Sequence, residues 1–321
     1  MTERTTDNPD ILELLPRLAD ADAGVRRIAL IALADLEDPD GLPWLTDAVL
    51  VDADATVRAE AARLLEAWEE PEVVQALCAA LADADEAVRL AAAQSLSELK
   101  SLEAGPLILP WVGHADAFVR ASALRALREL RLEDAAGPAL LALADADASV
   151  RREAVGILGW LKHVPALPAL ARLAEEEADT EVRRAAIGAL GLARDASVLP
   201  ALVAALRDDA WQVREEAATT LGKVGVGDAG AALVAALDDS YWQVRLRAAR
   251  SLGRLRHGQA LDALATLLGH RIANLRKEAA LALGELGRAQ ALPALQAAEA
   301  DSDPEVRKAV RIALAQLQGA A

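Results

Sequence analysis

The chain has 321 residues, 54% of them apolar and 26% charged, with a formal net charge of −16. That composition excludes an unfolded polar chain and supplies enough apolar surface for a large core. No apolar run approaches the roughly 18 residues of a membrane span, and a single cysteine, Cys78, excludes an intramolecular disulfide framework.

Residues 1–9 are expected to form a flexible N-terminus: Met1 to Asn8 are polar, and no signal-peptide core follows them. With one cysteine in an apolar setting, a reducing cytoplasm is the expected location. The basic residues are 29 Arg against 5 Lys, the skew of a high-GC, bacterial genome.

From there a Val-Arg pair, once Leu-Arg, recurs ten times, ending at Arg26, Arg58, Arg89, Arg120, Arg151, Arg183, Arg214, Arg245, Arg276 and Arg307. The spacing is 31 or 32 residues throughout. A fixed period of this length marks a solenoid, in which each unit buries its apolar face against its neighbours. The expected fold is therefore an all-α solenoid occupying residues 10–319 as one domain. Its units run near 10–38, 39–70, 71–101, 102–132, 133–163, 164–195, 196–226, 227–257, 258–288 and 289–319.

Each unit reads as two helices. The first is short and apolar, with Pro43, Pro138, Pro168, Pro200 and Pro293 near its start, where a missing N–H has no helical partner to lose. The second carries a stripe: the Val (once Leu) before the Arg, an Ala three residues after it in nine units with Val310 in the last, and a Leu seven after it in all ten. That spacing lies on one helical face. Gly159, Gly191, Gly222, Gly253 and Gly284 follow that Leu and would permit close helix approach. Four residues before the Arg, Asp22, Asp54, Asp85, Asp116, Asp147, Asp179 and Asp303 are placed to cap the second helix. The ladder arginines read as structural, pairing with this Asp or with the Asp of the adjacent unit.

The run Asp147 to Leu161, Asp-x-x-x-Arg-x-x-Ala-x-x-x-Leu-Gly-x-Leu, resembles the short HEAT-like repeats of the phycobilisome-lyase type. The resemblance covers about residues 10–317. It implies a right-handed α-solenoid whose second helices line the concave face. It implies no single activity, since such repeats occur in bilin lyase subunits, scaffolds, metal-dependent hydroxylases and artificial binders.

Three consecutive units break the pattern. Ala210, Tyr241 and Ile272 replace the capping Asp, although Asp209 or Ser240 could cap one residue early. Beside them stand Trp211-Gln212, Trp242-Gln243 and Ala273-Asn274. The resemblance places Trp211, Gln212, Trp242, Gln243, Arg247, Arg250, Arg254, Asn274 and Lys277 on the concave face, with Trp160 directed the same way. Tyr241, His270 and Arg271 complete the candidate partner-binding set. Trp and Arg dominate interface hot spots, so the set suits a protein with an acidic or carboxylate-bearing surface. The alternative is that the indoles pack turn against turn and the arginines form a solvated face. Trp68 reads as core, and Trp44 and Trp111 as first-helix packing.

Charge is uneven in the same direction. Residues 1–206 carry 19 basic and 36 acidic side chains, whereas residues 241–290 carry 9 and 3. Most of the chain would repel nucleic acid, and no membrane partner is expected.

Catalytic chemistry is sparse. The one G-x-G-x-x-G, Gly225 to Gly230, follows a helix rather than a strand and reads as an inter-unit loop. His114, His163, His257 and His270 are scattered, with only His257 and His270 bracketing one first helix. No metal, cofactor or catalytic residue is expected. The sequence reads as a non-enzymatic scaffold or assembly factor binding a protein on units 5–9. An accessory lyase or chaperone holding a tetrapyrrole ranks second, with weak nucleic-acid binding by residues 241–290 third.

Overall fold

The computed structural model describes residues 6–225 and 229–319, and all regular structure within them is helical. Contacts divide the chain between Leu161 and Lys162 into two compact units. The N-terminal unit contains α1 (Pro9–Leu18), α2 (Ala23–Ala34), α3 (Leu42–Val51), α4 (Ala55–Leu64), α5 (Pro71–Ala80), α6 (Glu86–Glu98), α7 (Gly105–Ile108), α8 (Ala117–Leu130), α9 (Ala136–Ala142) and α10 (Ala148–Trp160). The C-terminal unit contains α11 (Leu167–Glu176), α12 (Thr180–Ala189), α13 (Leu199–Ala205), α14 (Trp211–Val224), α15 (Gly230–Ala235), α16 (Trp242–Arg254), α17 (Leu261–Leu267), α18 (Ala273–Leu286), α19 (Leu292–Ala297) and α20 (Pro304–Gly319). Odd-numbered helices are the short first helices of each repeat and even-numbered ones the second.

Within each unit the second helices stack in sequence, α2 on α4 on α6 on α8 on α10, and α12 on α14 on α16 on α18 on α20. The stripe is what they bury. Each Ala three residues after the ladder Arg, from Ala29 to Ala279, is fully inaccessible, as is Val310 in the last repeat. The Leu four residues further on is equally closed in every repeat but the last, where Leu314 is slightly exposed. Small residues at this seam allow backbones to approach. A Cβ on Gly253 would lie 2.8 Å from the Ala282 Cα, and one on Gly284 the same distance from the Ala313 Cα. No side chain other than hydrogen fits there.

The seven predicted caps are made. Asp22, Asp54, Asp85, Asp116, Asp147 and Asp179 each accept a backbone N–H two residues on, and Asp303 accepts that of Glu305 at 2.8 Å. The ladder arginines use a different carboxylate. In six rungs the guanidinium grips, through Nε and Nη2, an Asp of the next repeat that stands two residues before the cap position: Arg26–Asp52, Arg58–Asp83, Arg120–Asp145, Arg183–Asp208, Arg214–Asp239 and Arg276–Asp301. The Nη1 of each also donates to two carbonyls of its own turn, as in Arg58 to Asp52 O and Ala53 O. The same Asp accepts the N–H of the cap residue, as Asp83 does from Asp85 at 2.8 Å. One carboxylate thus ties a turn to itself and to the preceding repeat.

Other expectations changed in detail. Of the N-terminal segment expected to be flexible, residues 1–5 lie outside the described residues, and Thr6 and Asn8 bond Asp40 and Asp38 at 3.0 and 2.6 Å. Trp68 is half-buried rather than core, because the second helix has already tightened into a 3₁₀ turn at Leu65–Ala67. Trp44 and Trp111 are also half-buried, the latter stacked on His114. Gly225 closes α14 in the left-handed region at φ 76°, so the first glycine of the G-x-G-x-x-G is a helix cap. Val226, Gly227 and Asp228 of that motif lie outside the described residues.

Candidate interaction face

The C-terminal unit contains the three repeats that lost their capping Asp. Ala210, Tyr241 and Ile272 occupy the cap positions of α14, α16 and α18 with extended backbone and no side-chain bond to the helix. Neither Asp209 nor Ser240 substitutes for the missing cap. Asp208, Asp239 and His270 instead accept the N–H of the cap residue itself, at 2.8, 2.8 and 3.0 Å. The first helical N–H groups of these three helices therefore have no side-chain partner, at a cost of about 1 kcal/mol each.

Aromatic rings fill the turns. Trp211 stacks on Tyr241 of the next repeat, centroids 5.5 Å apart and nearly parallel at 13°. The Arg214 guanidinium lies 5.6 Å from the same tyrosine ring. Trp211 thus pairs with Tyr241, its neighbour across the repeat boundary, rather than with its repeat equivalent Trp242. Tyr241 remains 44% exposed, while Trp211, Gln212, Trp242 and Gln243 are half-buried. None of the six tryptophans is fully buried.

Along the second helices, charge is largely spoken for within the chain. Arg247 donates to Glu215 at 2.9 Å, and Arg250 makes two 2.8 Å bonds to the buried Glu278 carboxylate. Lys277 lies 3.7 Å from Glu305. Arg254 is exposed and lines an open groove of about 560 Å³ with Arg256, Glu285 and Gln316. Burial pushes the Glu285 carboxyl above its usual range, helped by Glu278 and opposed by the surrounding arginines. Arg271 and Asn274 are exposed, and His270 is half-buried. Burial, then Arg245, Arg271 and Arg276, pulls the His270 imidazole below its usual value.

Trp160 lies in the N-terminal unit, where it is 51% exposed with Arg131 4.6 Å from its ring. The same unit buries Glu153 beneath Arg128 and Arg125, at 2.6 and 3.2 Å.

No grouping of three or more metal-ligating side chains occurs among the described residues. His257 and His270 go separate ways: the His257 ring is seated against Gly230, while His270 faces Arg245. Cys78 is fully enclosed, and burial pushes its thiol up to about 12, which leaves no thiolate at neutral pH. No described helix is long and apolar enough to cross a membrane.

A family model for HEAT repeats matches the chain in overlapping stretches, residues 11–97, 45–128, 105–190, 173–245 and 230–315. The chain belongs to the HEAT-repeat family. No curated protein matches this HEAT-repeat chain. Among solved structures, an engineered protein is similar at 22% identity and TM-score 0.57, over 97% of this chain and 99% of its own. YibA of Escherichia coli is similar at 21% identity and TM-score 0.61, over 84% and 99%. Yeast importin-β is similar at 14% identity and TM-score 0.64, over 97% of this chain and 50% of its own. Likeness at these identities establishes the fold alone.

Two features escaped the sequence reading. The ladder's acceptors, Asp52, Asp83, Asp145, Asp208, Asp239 and Asp301, stand six residues before the next Arg, a spacing visible in the repeats but overshadowed by the caps. The second is that His114 and His270 occupy this acceptor position, so two rungs lack their carboxylate.

Proposed function

We propose that this HEAT-repeat protein is a non-enzymatic, cytoplasmic scaffold or assembly factor whose partner docks on the turns and second helices of α14, α16 and α18. The observation that carries the proposal is the consecutive loss of three helix caps in favour of partly exposed aromatic and amide side chains. Each loss costs the fold about 1 kcal/mol, and the stacked Trp211–Tyr241 pair leaves Tyr241 44% exposed and open to a partner. Aromatic residues held flat by a neighbouring ring are pre-ordered, which lowers the entropy lost on binding. The acidic preference of that partner rests on Arg254, Arg256 and Arg271, since Arg247 and Arg250 already hold carboxylates of this chain.

The test is affinity purification of the tagged protein from its own host, beside Trp211→Ala combined with Trp242→Ala. A stoichiometric protein should be retained by the wild type and bound at least about 2 kcal/mol more weakly by the variant, with an unchanged circular dichroism melt. Equal retention rejects this face. A bound chromophore in place of a protein would transfer the reading to a tetrapyrrole-holding maturation factor.

A further inference from the structure

Nine of the ten ladder arginines donate Nη1 to two carbonyls of their own turn; Arg245 donates to none. Its Nε is buried without a hydrogen-bond partner, and so is Oε1 of Gln243 two residues earlier in the same first turn of α16. Buried polar atoms without partners are rare and costly to a fold. The cause lies in the next repeat. Where six other rungs present an aspartate, this one presents His270, whose Nδ1 accepts the Ile272 N–H and so takes over the turn but not the ion pair. A neutral imidazole accepting at Nδ1 carries its proton on Nε2 and has no second acceptor for a guanidinium.

The other broken rung shows what a repaired gap looks like. His114 also replaces the aspartate and accepts the Asp116 N–H at 3.1 Å. There Arg89 keeps its two carbonyl bonds and lays its guanidinium 5.8 Å from the Phe118 ring. The residue equivalent to Phe118 in the later repeat is Asn274, which is exposed and offers no ring. Arg245 is therefore without the carboxylate, carbonyl and ring contacts of the other rungs: Asp239 of its own turn lies within electrostatic reach, but Asp239 is held by Arg214, and His270 faces Arg245 together with Arg271 and Arg276.

We propose that the open rung of Arg245, His270 and Asn274 is a docking site for a carboxylate of a partner, an Asp or Glu side chain in an acidic, turn-forming segment. The six closed rungs display the chemistry that such a group would reproduce, both carboxylate oxygens at 2.7–3.0 Å from Nε and Nη2 of one guanidinium. Because the Arg245 Nε is closed to solvent, the entering carboxylate must displace a neighbouring side chain to reach it. The Asn274 amide stands free to bond the segment's backbone. This inference deepens the scaffold reading and rests on it, because the rung lies in the first turns of α16 and α18 on the proposed face.

The probe is a capped, fluorescein-labelled peptide of residues 143–149, Leu-Ala-Asp-Ala-Asp-Ala-Ser, which is the turn that Arg120 already holds within the chain. Fluorescence anisotropy at low salt should show saturable binding to the full-length protein. Arg245→Gln removes the fork, and His270→Asp closes the rung internally; each should weaken binding at least tenfold. The thermal midpoint should not fall for Arg245→Gln and should rise for His270→Asp, which separates lost binding from lost folding. No saturation up to millimolar peptide, or wild-type binding by either variant, overturns the proposal. A host partner lost from the Trp211→Ala/Trp242→Ala variant while the peptide fails to bind removes this site and leaves the scaffold reading standing. A bound peptide with that partner fully retained does the reverse.

Discussion

A ladder arginine is only as important as the carboxylate opposite it. Arg58 and Asp83 are a closed pair, 16% and 13% exposed, with four hydrogen bonds anchoring the guanidinium. Replacing Arg58 by Gln leaves a half-buried carboxylate without its counter-ion, and urea denaturation should register a loss of about 2–3 kcal/mol. Arg245 occupies the same repeat position but makes none of these bonds, so Arg245→Gln should cost less than about 0.5 kcal/mol, and it also relieves a buried, unpartnered Nε. Equal losses at the two positions would mean that the arginines act through their aliphatic stems rather than their charges. Position in a repeat thus predicts what a residue can do, and its neighbour across the boundary decides what it does.

At the level of the helix, the cap and the stripe separate cleanly. The stripe is preserved in α14, α16 and α18, where Val213, Val244 and Leu275 are as closed to solvent as their counterparts in other repeats. The caps are not. Ala210 has φ −82° and ψ 121°, almost the geometry of the working cap Asp22 at −80° and 119°. The backbone is therefore ready for a side chain that is absent. Ala210→Asp should stabilise the protein by about 1 kcal/mol in thermal or chemical denaturation, while leaving Trp211 in place. A neutral result would show that the Trp211–Tyr241 stack already shields the free N–H groups, removing the argument that stability was traded for surface.

Across the molecule, the rungs give folding a defined pH response. Hydrogen bonding from Arg58, Arg120 and Arg276 holds the carboxyls of Asp83, Asp145 and Asp301 below their usual 3.8. The unfolded chain protonates first as pH falls, so the stabilisation is complete above the usual value and disappears as pH passes down through the folded ones. His270 has the same sign, its loss beginning below its usual 6.5. Denaturation midpoints measured from pH 7 downward should decline gently at first and steeply below about pH 5. A flat profile to pH 3 would remove the rungs from the list of stabilising interactions.

The sequence by itself determined the repeat, the fold class, the buried stripe and the seven caps, because each is a local pattern with a fixed period. A helix needs to see only residues three, four and seven places away to declare its apolar face, and an N-cap bonds two residues along. The ring contact of Trp211, the internal partners of Arg247 and Arg250, and the isolation of Arg245 were decided only by tertiary structure. Each depends on a side chain about 25–32 residues distant, brought near by the stacking of repeats. Sequence placed the tryptophans at equivalent positions 31 residues apart, but stacking requires two rings to overlap, and the packing of adjacent repeats put Tyr241 rather than Trp242 over Trp211. The same geometry turns one histidine-for-aspartate difference into an unpaired guanidinium, which no single repeat reveals.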